Sequence, residues 1–274
     1  MTAVHPGIQA NIDGYARRAR SYDAVHAEIF NSREQARLDS AIGRAVDAIE
    51  SGGTKALDFG CGTGNLTRHM RTRSLAVTCA DVSPQFLRIV AERYETSTIE
   101  LVGGSTDVVP DDEFDLVGLY SVLHHVPDYL GLVGQLVSKV KRGGVLFVDH
   151  ECNQNYWTPN PELTQFRQAM RAAQLERRWC PEHKRWQRFL TLSHYRASYR
   201  RLRRLNVEIE GDIHIHANDH VDLDAVVRVA IDAGCEVVER MNYLLFRGGG
   251  YSEPVWEKWA DRTTDTGGAI LRRL

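Results

Sequence analysis

No stretch of this sequence approaches the roughly 18 uninterrupted apolar residues that a membrane-spanning helix needs, so insertion into a bilayer is not expected. Residues Met1 to Ala10 show no basic start followed by an apolar core, so export is not expected either. Cysteine is sparse: Cys61, Cys79, Cys152, Cys180 and Cys235 are odd in number, scattered, and never form a Cys-x-x-Cys pair. That spacing fits neither a disulfide framework nor a zinc knuckle and reads as free thiols in a reducing cytoplasm. A large charge of one sign is also missing. The formal net charge of -2 excludes a molecule that grips nucleic acid or membrane with its whole surface. Internal repeats and low-complexity tracts are absent. What is present, 43% hydrophobic residues over 274, suffices for a full core.

Leu38, Ile42, Ala45, Val46 and Ile49 recur at helical spacing and end at Ser51-Gly52-Gly53, which predicts a helix feeding a first strand. Short buried-strand runs follow at Ala56 to Phe59, Leu75 to Ala80, Ile99 to Val102, Phe114 to Tyr120 and Val145 to Asp149. Between them lie helix-compatible segments around Leu66 to Arg71, Pro84 to Tyr94 and Tyr129 to Val140. This alternation predicts a doubly wound α/β fold with ligands beyond the carboxyl ends of the strands. The alternation stops from Cys152 to Leu205, where helical spacing dominates. It resumes with a helix from Leu223 to Ala233 and two closing strands near Cys235 to Glu239 and Tyr243 to Phe246, followed from Arg262 by a polar tail expected to fray.

Asp58-Phe59-Gly60-Cys61-Gly62-Thr63-Gly64-Asn65 ends a strand and opens a helix. Its glycines permit positive φ and close backbone approach, and the helix start offers unpaired N–H groups. Such a turn can also be purely structural. A dinucleotide fingerprint would need glycine at Asn65, so a nicotinamide or flavin fits poorly. An acid at Asp58 repels a pyrophosphate but suits a ligand bearing an ammonium and a sulfonium. Asp81 closes the second strand, where a carboxylate can accept both hydroxyls of a ribose or simply cap the next helix.

Taken together, the Asp58 to Gly64 turn, Asp81, the Asp112 to Val117 strand, Leu123-His124-His125-Val126 and Lys141-Arg142-Gly143-Gly144-Val145-Leu146 resemble class I S-adenosylmethionine-dependent methyltransferases of the small-molecule type. The match runs from about residue 34 to 151, with a weaker echo from Asp222 to Phe246. The resemblance implies a mostly parallel seven-stranded sheet of order 3-2-1-4-5-7-6 with a helical insertion, a lid, after strand five. It implies that Asp58 and the backbone of Gly60, Gly62 and Gly64 hold the methionine end of the cofactor, with Cys61 and Asn65 also among the cofactor-binding residues, that Asp81 takes the ribose, and that Val82 flanks the adenine. Tyr120, Ser121 and His125 would lie near the sulfonium. Leading-helix aromatics, Tyr15 and Tyr22, would close the site, or would merely pack a solvated helix. One position departs from the family: an acid usually follows Gly104 to bind the adenine amino group, and here Ser105 stands there, with Thr106 and Asp107 beyond.

The acceptor side is less constrained. His125, His150, His214 and His216 are candidate bases for removing a proton from a hydroxyl acceptor. Alternation in Ile213-His214-Ile215-His216 would put both histidines on one strand face. No acid is spaced to complete a familiar metal site with them and His220, so no metal is expected. Between Gln165 and Arg204 twelve basic residues face two acids, interleaved with aromatics. This segment is either a solvated lid or a surface for an anionic acceptor, with Trp157, Trp179, Arg178, Tyr195, Tyr199 and His214 as candidate substrate contacts.

The division expected is an N-terminal helical cap (1–53), a Rossmann-like core (54–151), the helical insertion (152–220), core completion (221–250) and a C-terminal tail (251–274). The expected function is methyl transfer from S-adenosylmethionine to a small-molecule acceptor, in the cytoplasm and without nucleic acid. The alternatives are a cofactor-binding protein of this fold that transfers no methyl, and an RNA methyltransferase. Aromatics near Trp256 and Trp259 suit a dimer contact and the chain's own core equally.

Overall fold

The computed structural model describes residues 5–16, 19–50, 52–179 and 212–274. Its centre is a seven-stranded sheet in which β1 (Lys55–Phe59), β2 (Ala76–Asp81), β3 (Ser97–Glu100), β4 (Phe114–Tyr120) and β5 (Val140–Cys152) run parallel. β6 (Cys235–Tyr243) and β7 (Thr266–Arg273) complete it, and the order is β3-β2-β1-β4-β5-β7-β6. β7 is antiparallel to both of its neighbours. Every residue of β4 is buried, as expected of a central strand covered on both faces. Strand order reverses between β1 and β4, and the crevice beyond their carboxyl ends is where such sheets take ligands.

Ahead of the sheet come α1 (Pro6–Ala16), α2 (Tyr22–Val25), α3 (Ala27–Phe30) and α4 (Ser32–Asp47). Asn31 caps α4 by accepting from Glu34 N at 2.9 Å. Leu38, Ala41, Ile42 and Ala45, a stripe at helical spacing, are fully buried against one face of the sheet. α1 packs on α6 (Pro84–Tyr94) and on the turns at Val102–Gly104 and Leu123–His125, so it covers the ligand edge. α5 (Asn65–Arg71) and α7 (Tyr129–Lys139) are the remaining helices of the parallel half. After β5 come α8 (Gln154–Trp157) and α9 (Pro161–Trp179), whose Leu163, Phe166 and Met170 form a separate small core with Leu244 and Trp259. Trp256 and Trp259 thus pack on the chain itself, Trp256 donating its indole N–H to Leu244 O at 3.0 Å.

The sheet's last two strands correct the sequence reading. After α10 (Leu223–Asp232) one strand runs unbroken from Cys235 to Tyr243, residues 244–246 belong to no strand, α11 (Glu253–Trp259) follows, and the segment from Arg262 expected to fray contains β7. Gly267 and Gly268 suggested a loose tail; instead they allow close backbone approach. A Cβ on Gly268 would stand 2.2 Å from Val148 O, and one on Gly267 2.8 Å from Met241 O. Ala269, Ile270 and Leu271, which follow, are buried.

Candidate active site

A cavity opens at the switch point, lined by the glycine turn after β1, by Asp81 and Val82 after β2, by Tyr120 to Val122 after β4, and by His125. The three glycines of the turn do different work. All have positive φ, but a Cβ on Gly60 would meet Val122 Cγ2 at 2.6 Å, and one on Gly64 would meet Tyr94 Cε2 at 2.4 Å. A Cβ on Gly62 would meet nothing within 4 Å. Gly60 and Gly64 are therefore required by packing, whereas Gly62 bares backbone to the cavity.

Asp58 and Asp81 hold this turn from two sides. Gly64 is the N-cap of α5 and has no side chain to cap it. Asp58 substitutes: its Oδ2 accepts from Thr67 N at 2.9 Å and Thr67 Oγ1 at 2.6 Å. Asp58 is 2% exposed and does not line the cavity, so direct contact with a methionine end, as the resemblance implied, is not what this geometry provides. Burial pushes its carboxyl up to about 7. Asp81 does line the cavity; its Oδ2 accepts from Gly62 N at 2.9 Å and its Oδ1 from Ser83 N at 2.8 Å, while burial pushes it up to about 6.

Of the other residues expected at the cofactor, Tyr22, Gly60, Cys61, Asn65, Val82, Tyr120, Ser121 and His125 line the cavity. Ser105 and Thr106 do not. Ser105 Oγ accepts from Asp107 N at 3.1 Å, so neither it nor Asp107 turns to the cavity, and Thr106 donates to Gln135 Oε1 at 2.7 Å. Apolar Ile8, Phe86, Leu101 and Leu132 line that end instead, together with Gly104. Ile8, Asn11, Ile29 and Phe30 show that the N-terminal helices form part of the wall, which local sequence patterns gave no means to see. The side chains of Tyr15, Arg178 and Trp179, and all of Tyr195 and Tyr199, lie outside the described residues.

Beneath the cavity lies a charged network. Arg37 pairs with Glu34 at 2.6 Å and with Asp149 at 2.7 Å, and stacks over the Tyr243 ring at 3.8 Å. Tyr120, from the cavity wall, donates to Glu34 Oε1 at 2.9 Å, and Tyr243 donates to Asp149 Oδ1 at 3.0 Å. Burial raises the Glu34 carboxyl above its ordinary range.

The candidate bases separate. Only His125 reaches the cavity, its Nδ1 2.9 Å from Asp212 Oδ1. His150 has φ +68, stacks on the Tyr120 ring at 4.5 Å, and neither ring nitrogen has a hydrogen-bond partner; burial holds it neutral, well below its usual pKa. His214 is engaged at both nitrogens, by Asp219 Oδ1 at 2.5 Å and Val126 O at 3.1 Å, which removes it as a base and as a substrate contact. His216 is exposed on a short antiparallel pair, Ile215–His216 with Asp219–His220, and Ile215 is exposed as well, so this two-residue strand has no sheltered face and His214 lies outside it. Trp157 stacks on His220 at 4.9 Å, away from the cofactor cavity.

The wall fits an adenosyl sulfonium. Gly62 offers bare backbone, Asp81 a carboxylate, and the Val82 to Leu101 side an apolar slot. Asn65 adds an unanswered donor: its Oδ1 accepts from Gln35 Nε2 at 3.0 Å, while its buried Nδ2 has no partner and suits an amino-acid carboxylate.

Comparison with known proteins agrees. Residues 57–148 match the family model described as a methyltransferase domain. A ubiquinone biosynthesis O-methyltransferase from Xanthomonas campestris pv. campestris (strain B100) is 31% identical over 101 residues, 35% of this chain and 42% of that protein. A malonyl-[acyl-carrier protein] O-methyltransferase from Acetivibrio thermocellus is 26% identical over 135 residues, 48% of this chain and 46% of that protein. The chain thus spans less than half the length of these curated relatives. The N-methyltransferase NodS from Bradyrhizobium japonicum WM9, solved with S-adenosyl-L-homocysteine, has the same fold, with a TM-score of 0.55 at 14% identity over 98% of this chain and 99% of that one. The sheet order, the glycine turn and the cavity are thus those of a class I, Rossmann-like methyltransferase fold, and within it residues 57–148 are similar to a methyltransferase domain.

Proposed function

We propose that the protein transfers a methyl group from S-adenosylmethionine to an oxygen of a small acceptor. The carrying observation is the juxtaposition, in one cavity, of Gly62, Asp81 and Asn65 with His125. The cofactor supplies an electrophilic methyl on a sulfonium. The chain's residues do the rest: Asp81 and Asn65 bind and orient, the N-terminal helices exclude water, and the His124, His125 and Asp212 corner receives the acceptor hydroxyl and favours loss of its proton. Two matched relatives are O-methyltransferases by name, which supports oxygen as the methylated atom.

The finer reading is an anionic acceptor recognised by the insertion, supported by the excess of arginine and lysine between residues 165 and 204; the lid expected there lies largely outside the described residues. The thiols of Cys61, Cys79, Cys152 and Cys235 are unbridged, in keeping with a reducing cytoplasm, and no helix among the described residues is long and apolar enough to cross a membrane. The test is release of S-adenosylhomocysteine from labelled cofactor with panels of phenols, hydroxy acids and carboxylic acids. Turnover with an anionic member, lost when Arg178, Lys184, Arg185 and Arg188 are neutralised, is expected. Cofactor binding without turnover on any oxygen acceptor would overturn the reading.

A further inference from the structure

Next to the cofactor cavity, the turn after β4 carries His124 and His125 with ring centroids 4.1 Å apart. Glu151, 2% exposed near the end of β5, fixes that turn. Its Oε1 accepts from Val122 N at 3.0 Å and Leu123 N at 2.8 Å, and its Oε2 stands 2.8 Å from His124 Nδ1. The chain re-entering at residue 212 is fastened to the same turn, because Ile213 N and His214 N both donate to His124 O, at 2.9 and 3.1 Å. This brings Asp212 Oδ1 to 2.9 Å from His125 Nδ1. One donor atom each from His124, His125 and Asp212 then lie within 4.8 Å of one another.

We propose that His124, His125 and Asp212 bind a divalent transition-metal ion, with Glu151 orienting His124, and that this ion holds the acceptor oxygen against the methyl donor. Bonds of roughly 2.0–2.2 Å put adjacent donors on one ion about 3.0 Å apart at right angles and about 3.4 Å apart in a tetrahedron, so the 2.9 Å between His125 and Asp212 needs only a small widening. Small imidazole rotations bring in His124. Two imidazoles and a carboxylate favour zinc, cobalt, iron or manganese over magnesium or calcium, which prefer all-oxygen sites. Three protein ligands leave positions open, the mark of a reactive centre rather than a closed structural one. His125 lines the cavity, which puts the proposed ion at the cavity's edge. A histidine ligand whose second nitrogen meets a buried carboxylate is the usual outer-shell arrangement, and Glu151 supplies it. The negative charges of Asp212 and Glu151 balance the ion.

The role of the ion rests on the O-methyl transfer proposed above; its binding does not. An acceptor hydroxyl coordinated there releases its proton to water near neutral pH. The resulting oxygen attacks the methyl carbon, a C–O bond forms, and the C–S electron pair passes to sulfur, leaving a neutral thioether.

The test uses tag-free, chelator-stripped protein titrated calorimetrically with Co²⁺, Zn²⁺ and Mn²⁺, with visible absorption of the Co²⁺ form and S-adenosylhomocysteine affinity measured in parallel. One equivalent per chain is expected. His124→Gln and Asp212→Asn should weaken Co²⁺ by tenfold or more, and Glu151→Gln by about 10–100-fold through His124 alone. His216→Ala, an exposed histidine outside the site, should bind as the parent does. All should retain S-adenosylhomocysteine binding, which shows that they fold. No saturable binding of any of the three ions by protein that binds S-adenosylhomocysteine would overturn the metal site, as would parental Co²⁺ affinity in both His124→Gln and Asp212→Asn. Protein that binds Co²⁺ with the predicted variant pattern but no S-adenosylhomocysteine would uphold the metal site and sink the O-methyl reading.

Discussion

The backbone amide of Gly62 donates to the Asp81 carboxylate at 2.9 Å, so the acid that ends β2 fixes the turn that ends β1. One side chain therefore serves both the shape of the cradle and the chemistry inside it. Asp81→Ala should weaken S-adenosylmethionine and S-adenosylhomocysteine about tenfold or more, the usual cost of a lost hydrogen bond to a charged group. Isothermal titration checks this, and parental affinity in the folded variant would remove Asp81 from the binding site.

The two buried acids make a pH prediction. Asp81 at about 6 and Asp58 at about 7 both lie above the ordinary aspartate value of 3.8. Between those values the folded state keeps protons that the unfolded chain has released, so the stability these groups contribute falls as pH rises through that window. Asp58→Asn keeps an acceptor for Thr67 without a charge. Its melting temperature relative to the parent should therefore improve more at about pH 8 than at about pH 5. Scanning calorimetry giving the same difference at both pH values would contradict the assignment. Cofactor affinity should move the opposite way, declining below about pH 6 as Asp81 gains a proton and loses an acceptor.

Glycine substitutions should divide binding from folding. Gly62→Val places its side chain in open cavity and should abolish S-adenosylhomocysteine binding, at a backbone cost of about 1–3 kcal/mol from φ +51 that leaves the fold intact. Gly64→Ala drives a Cβ into Tyr94 at φ +92 and should cost about 1–3 kcal/mol of stability before any effect on ligand. Denaturant titration paired with calorimetric binding separates them; equal binding losses at equal stability would show that the turn has one role only.

Arg37→Met should be among the most damaging single changes. It leaves Glu34 and Asp149, both almost fully buried, without their shared cation, a loss of roughly 3–5 kcal/mol. A change in the urea midpoint worth less than about 1 kcal/mol would mean that the network is solvated in solution.

The parallel half of the sheet and its cofactor turn were legible because their signals are local: a strand, three glycines and an acid within ten residues of each other. Asp58 was misjudged for a related reason. Its charge suggested a ligand, but a glycine N-cap leaves a helix in need of an acceptor, and Thr67 three residues on was the available clue. The corner proposed for the acceptor was not legible, since Glu151 and Asp212 are distant in sequence from His124 and His125 and reach them only through the sheet edge and the fastening of residue 213 to His124. Nor was β7, whose paired glycines look alike whether they loosen a tail or admit a neighbouring backbone. The His214 and His216 pairing failed because alternation predicts a face only where a strand is long enough to have one.

The place of β7 has a consequence for how the chain folds. β6 precedes β7 in sequence yet joins the sheet solely through it. Until residues 266–273 insert, β5 presents an open backbone edge and β6 has nothing to pair with. The parallel half can assemble without it, closure pairs β5 with a strand more than a hundred residues further along the chain, and an unpaired edge of this kind invites wrong partners while it lasts. Slow synthesis or weakening substitutions near Ala269 to Leu271 should therefore show up as aggregation during expression rather than as altered catalysis in the protein that does fold.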